Sequence, residues 1–190
     1  MDEVAAALER RVGPGSVLVE DVDQVLRACQ DMAVRFRRGG KLIVFGSGGA
    51  VTDAQHVAVE FVHPVIVGKQ ALPAVSLTND VAIVTGIAGS TGLDDIFAGQ
   101  LRLLASPEDI AMGFGQCAGV LRGLAVARES GLLTVGLRGE RDVPAEPVDH
   151  LLVVRSDDPL VVKEVHMTIY HLLWELTHVF LEQPEPEGAR

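Results

Sequence analysis

Residues 45–60 read Phe45-Gly46-Ser47-Gly48-Gly49-Ala50-Val51-Thr52-Asp53-Ala54-Gln55-His56-Val57-Ala58-Val59-Glu60. An apolar run, Lys41 to Phe45, enters a glycine turn, and a helical pattern from Thr52 to Val62 leaves it. Glycines at 46, 48 and 49 allow a tight bend and a close approach of backbone to an anion, while the following helix aims its unpaired N–H groups at the same point. His56 and Glu60 are four residues apart, so on a helix they share a face and could hold one metal ion or act on one substrate. The same spacing also describes an ordinary solvated pair. The turn lacks the Lys-Ser/Thr of a Walker loop and the G-x-G-x-x-G of a dinucleotide fold, so its position at the start of the helix is what marks it.

Working outward, the chain alternates. Asp21–Arg38 has helical periodicity and stops at Gly39-Gly40; Leu72–Leu77 reads as a strand after Pro64 and Gly68. Val81–Ala88 and Leu93–Ala105 read as helices, Ile110–Phe114 as a strand, Ala118–Ser130 as a helix closed by Gly131, and Leu132–Leu137 as a strand. A proline-containing loop at 143–148 leads to a strand at Leu151–Val154. Asp157 or Asp158, with Pro159 at the first helical position, opens a long helix to about Leu181. Five strands separated by helices give an α/β fold, a doubly wound five-stranded parallel sheet flanked by helices, with sites at the carboxyl ends of the strands. Residues 1–182 are expected to form a single domain with an N-terminal helical extension, and 183–190, carrying Pro184 and Pro186, a disordered tail.

Composition limits function. The 190 residues are 48% hydrophobic, and 26 acids against 16 bases give a formal net charge of −10, which repels nucleic acid and anionic membranes. Arg35, Arg37 and Arg38, the one basic cluster, read as solvated charges at a helix C-terminus. No run is long and apolar enough for a membrane span, and Met-Asp-Glu-Val is unlike a signal peptide, so a cytoplasmic protein is expected. Cys29 and Cys117 lie outside any C-x-x-C pattern and read as small buried residues without a disulfide.

Gly46-Ser47-Gly48-Gly49-Ala50, Asp53-Ala54, His56 and Glu60 match the pattern G-N-G-G-S-x-x-D-A-x-H-x-x-x-E; Leu72–Thr78, Asp95-Ile96-Phe97, Lys163-Glu164-Val165-His166 and His171 follow in a matching order. The chain thereby resembles, nearly end to end, the sugar isomerase (SIS) domain family with its flavodoxin-like sandwich, and within it the phosphoheptose isomerase branch acting on sedoheptulose 7-phosphate. The resemblance implies aldose–ketose isomerisation through an enediol, with Glu60 and His171 as the acid–base pair. It also implies a zinc site at His56, Glu60 and His171, and substrate contacts at Ser47, Gly48, Gly49, Gly89, Ser90, Gly115, Gln116 and Lys163. A homotetramer with active sites between subunits is implied as well. Such chemistry needs one group for the carbon proton and another for the oxygens.

Several positions depart from the family. Its metal-site Gln is Lys163 here, whose ammonium would oppose a divalent ion at the same spot, unless it turned toward an anionic substrate group. The serine-rich phosphate loop is shortened to Gly113-Phe114-Gly115-Gln116-Cys117-Ala118, the first loop carries Ala50 in place of serine, and the family Asn-Asp falls on Gly89-Ser90. A weaker grip on phosphate and on zinc is expected. A non-catalytic family member acting through protein partners stays open as the alternative. His166 lies roughly 140° around the helix from His171 and should address a different site. His63 and His150 read as solvated, Glu175 and His178 as a solvated or interface stripe, and Tyr170 and Trp174 as packing residues.

Overall fold

The computed structural model describes residues 2–142 and 147–184. The expected loop at 143–148 therefore falls largely outside the described residues, as does most of the expected tail. Helix α1 (Asp2–Ser16), a 3₁₀ turn (Val17–Asp21) and α2 (Val22–Arg37) precede the sheet. Strand β1 (Leu42–Gly46) runs into α3 (Ala50–Val62), and β2 (Ala74–Ser76) into α4 (Val81–Ser90). A 3₁₀ turn (Leu93–Asp95) and α5 (Ile96–Leu104) lead to β3 (Ile110–Phe114); α6 (Ala118–Glu129), β4 (Leu133–Gly139), a 3₁₀ turn (Glu140–Asp142), β5 (His150–Val154) and α7 (Pro159–Glu182) complete the order among the described residues.

All four strand pairings are parallel, in the order β2-β1-β3-β4-β5. Every residue of β1, β3 and β4 is buried, so β1 and β3 read as unbroken apolar runs rather than alternating ones, while β4 also buries Thr134 and Arg138. One core layer joins α2, α3 and α7 to one face of the sheet through Met32, Phe36, Val57, Phe61, Val165, Ile169 and Leu173. The other joins α5 and α6 to the opposite face through Phe97, Leu101, Val120 and Leu124. The chain reverses its direction of winding between β1 and β3, so the loops after these strands diverge and leave a crevice at their carboxyl ends.

Local signals read from sequence act as expected at several ends. Asp158 Oδ1 accepts from Leu160 N at 2.9 Å, with Pro159 at the first position of α7; Asp80, which the sequence reading does not single out, caps α4 through Ile83 N at 3.0 Å. The strand expected at Leu72–Leu77 is shorter, Ala74–Ser76, and Leu93–Ala105 splits into a 3₁₀ turn and α5.

Within the arginine cluster Arg38 is the solvated helix-end charge that was expected, whereas Arg35 and Arg37 are tied down. Arg35 donates to the carbonyls of Pro107 and Gly131, Arg37 to those of Phe180 and Gln183, and Arg38 lies 3.7 Å from Glu108. The guanidinium fork ties carbonyls at loop and helix ends to α2, a pairing that depends on which termini pack beside that helix. His150 is buried, not solvated, and bonds Asp31 at 2.8 Å. His178 is also buried, bridging the Trp174 and Gln70 carbonyls at 2.8 and 2.9 Å, so it forms no stripe with Glu175.

Candidate functional site

Ala54, Val57, Ala58 and Phe61 seat α3 on the sheet, and this fixes His56 and Glu60 on its flank. Val165, Ile169, Tyr170 and Leu173 seat α7 beside it and carry His171 to the same place. His56 Nε2 and Glu60 Oε1 are 3.0 Å apart, and the His56 and His171 rings meet edge to face with centroids 5.3 Å apart. One ligand atom from each of His56, Glu60 and His171 lies within 4.8 Å of the other two. Two imidazoles and a carboxylate are a common donor set for a zinc-like ion, and two ligand atoms on one tetrahedral ion lie about 3.3 Å apart. The cluster could therefore hold a metal ion after a small approach of His171, leaving a fourth position open. It lies at the protein surface, with the His56 side chain 36% and that of Glu60 14% exposed.

Lys163 is not where the resemblance would put a competing cation. Its ammonium donates to Asp53 Oδ2 at 2.5 Å, to the Gly49 carbonyl at 2.9 Å and to Thr52 Oγ1 at 3.1 Å. Lys163 and His171 are separated by roughly 12 Å of helix axis, and the side chain runs to the first turn of α3 rather than toward His56. Asp53, buried there, neutralises it. The expected opposition between Lys163 and a metal at His56, Glu60 and His171 is thus removed by an ion pair.

Two cavities of about 440 Å³ each flank the loop between β1 and α3. The first, beneath α7, is lined by Gly49, Asp53, Gly115, Arg141, Lys163 and His166 among others. His166 thus faces this cavity and packs on Phe114 rather than joining His171, in line with its position around the helix. The second, between the β1–α3 loop and the start of α6, brings together Ser47, Gly48, Cys117 and Gly119 with Val51, Val84, Ile96 and Phe97. Among the described residues its polar side chains are Ser47, Thr78, Asp94 and Cys117, without a cation.

Cys117 is exposed rather than buried, because it occupies the N-cap position of α6 at the mouth of this cavity, where its thiol donates to Ser47 Oγ at 3.2 Å. Cys29 is buried, and desolvation pushes its thiol up to about 12, which makes it inert. Gly89 and Ser90, at the end of α4, line neither cavity, and Ser90 Oγ is spent on the Gly86 carbonyl at 2.9 Å. Gln116 is exposed between the two cavities' rims and also lines neither.

Tyr170 was legible only as a packing residue. It is buried, yet its hydroxyl lies 3.0 Å from His56 Nδ1, and its ring contacts those of His171 and Phe114. Burial, then the charges of Asp53 and Glu60, push the phenol well above its ordinary range, so it keeps its proton at neutral pH. Its place directly before His171 in sequence carries no hint of this contact.

Residues 14–139 match the SIS domain model. The chain is 39% identical over 184 residues to the phosphoheptose isomerase of Solidesulfovibrio magneticus, spanning 95% of this chain and 87% of the relative. It is 33% identical over 180 residues to that of Roseiflexus sp., spanning 93% and 90%. The structure of the phosphoheptose isomerase from Neisseria gonorrhoeae superposes with a TM-score of 0.83 at 25% identity, over 94% of this chain and 98% of that one. An α/β fold with a glycine loop at the carboxyl edge of a parallel sheet, and a titratable cluster held lower down between α3 and α7, is a ligand-binding sandwich by class. This chain belongs to the SIS domain family. Both of these sequence relatives, matched over 87% and 90% of their length, are phosphoheptose isomerases. No helix among the described residues is long and apolar enough to cross a membrane.

Proposed function

We propose that the protein is an aldose–ketose isomerase of the phosphoheptose isomerase type, acting on a sugar phosphate. The observation that carries this is the convergence of Glu60 and His171, from helices far apart in sequence, on one point beside His56. Conversion of a 2-ketose to an aldose moves one hydrogen from C1 to C2 with no net change in composition. In this reading Glu60 and His171 divide the proton transfers between them. One accepts the C1 proton and returns it to C2, while the other shuttles the proton between O2 and O1. His56, Glu60 and His171 would hold a zinc ion, which when bound supplies electrostatic stabilisation of the enediolate.

The sugar's phosphate is placed in the second cavity, between the start of α6 and the loop after β1. Backbone N–H groups and Ser47 receive it there, with Gly48 permitting close approach, while Gly49 lines the first cavity. Lys163, Gly115 and the first cavity are assigned to the polyol end, and Gly89, Ser90 and Gln116 retain roles only through a neighbouring subunit. A homotetramer fits the surface: no residue of α4 is buried, Val81 and Ile83 are exposed on it, and the His56 cluster faces outward where a second copy would cover it. Light scattering giving the 20.2 kDa monomer would overturn that assembly. We assign residues 1–182 to one SIS domain with an N-terminal helical extension, in the cytoplasm.

The deciding experiment is NMR of sedoheptulose 7-phosphate with the protein in deuterated water. Growth of aldose signals, with deuterium entering at C1 or C2, supports the reading; no product and no exchange at saturating protein would refute it.

A further inference from the structure

We propose that Tyr170 is a positioning residue for His56, holding the imidazole so that Nε2 faces Glu60 and His171, and serving as hydrogen-bond partner to Nδ1 in either of its protonation forms. The proposal rests on the reading of His56, Glu60 and His171 as a metal site. Its geometric basis is a chain of two contacts through one ring: Tyr170 OH to His56 Nδ1 at 3.0 Å, and His56 Nε2 to Glu60 Oε1 at 3.0 Å.

A carboxylate oxygen accepts only, so in the metal-free protein Nε2 carries the ring proton toward Glu60, and Nδ1 accepts from the phenol O–H. When a metal takes the Nε2 lone pair, the ring proton must move to Nδ1, which then becomes a donor. A carbonyl in the place of Tyr170 could serve the second state alone, and a lysine the first alone. A phenol hydroxyl is both donor and acceptor, so it satisfies Nδ1 in both states by rotating its hydrogen. The ring is fixed for this purpose. It is buried in the layer between α3, α7 and the sheet, with edge contacts to Phe114 at 6.1 Å and to His171 at 4.9 Å between centroids. Tyr170 thereby packs against one member of the cluster and hydrogen-bonds another.

Tyr170→Phe keeps those ring contacts and removes only the hydroxyl, so the fold should survive, which a thermal melt checks. Zinc titration by calorimetry and nitrogen-15 NMR of the His56 ring would be run on the wild type and the variant. The expected results are zinc binding weakened about 10- to 100-fold in the variant, and a single Nε2–H tautomer in the metal-free wild type that becomes a mixture in the variant. Equal zinc affinity together with an unchanged tautomer would overturn the role of Tyr170. A wild type that binds no zinc would refute the metal reading instead, and the tautomer comparison in metal-free protein would still decide for or against Tyr170. Tyr170→His, which offers a nitrogen in place of the hydroxyl, is the partial-rescue control.

Discussion

Replacing Lys163 by methionine distinguishes a lysine that competes with a metal from one committed to Asp53. The substitution removes the ammonium and keeps most of the apolar stem. Asp53, whose side chain is 5% exposed, would lose its charged partner, and Gly49 O and Thr52 Oγ1 would each lose a donor. Breaking a fully buried pair costs about 3–5 kcal/mol, and an exposed one is worth about 0.2–1 kcal/mol. Here one partner is buried and the Lys163 side chain is 39% exposed, so the cost lies between, about 1.5–3 kcal/mol. For a chain of this size that is a fall in Tm of about 3–12 °C. A cycle with Asp53→Asn should give a coupling of at least about 1 kcal/mol. Metal affinity supplies an independent reading. An ammonium about 4 Å from a divalent ion opposes it by about 2 kcal/mol even at the dielectric of water, so its removal would tighten binding roughly 30-fold or more. An ammonium neutralised by Asp53 leaves the affinity within about 5-fold. An unchanged Tm, additive single variants and a large gain in zinc affinity would refute the arrangement described.

Glu60→Gln and His171→Ala should each lower kcat by about 10²- to 10⁴-fold with little change in Tm, since each removes a proton carrier from the surface without opening the core; an active Glu60→Gln enzyme would place the base elsewhere. Because the second cavity offers few side-chain donors and no cation, sedoheptulose 7-phosphate should bind weakly, and micromolar affinity by calorimetry would show that backbone donors suffice. Cys117→Ser restores a hydroxyl at the N-cap of α6, where no side chain now caps the helix. It should stabilise the protein by about 0.5–1 kcal/mol and lower KM for the phosphorylated sugar roughly 10-fold or more, both measurable against the parent. Gly40→Ala should destabilise by about 3 kcal/mol or more, because a Cβ there would lie 2.0 Å from the Glu108 carbonyl oxygen, a backbone atom that cannot swing away; a melt within 2 °C of wild type, about 1 kcal/mol or less, would contradict this close approach.

The fold and the glycine loop were open to sequence reading because their causes are local. Alternation of apolar strands with helical periods, Gly39-Gly40 and Gly131 at helix ends, and Asp158-Pro159 at the start of α7 act over a few residues, and such signals survive any tertiary arrangement. His56 and Glu60 were paired by helical spacing alone, and that pair is present at 3.0 Å. What the sequence could not determine is how α7 lies against α3. That packing sends Lys163 to Asp53, 110 residues away, and brings the Tyr170 hydroxyl to His56, 114 residues away. The packing of α2 on the sheet in turn places His150 on Asp31 and sets Arg35 among distant carbonyls. Each of these contacts joins segments whose separation along the chain carries no periodicity. Their partners are chosen by the mutual burial of Met32 and Phe36 of α2 with Phe61, Val165, Ile169 and Leu173 against one face of the sheet, and only the folded chain brings those residues together.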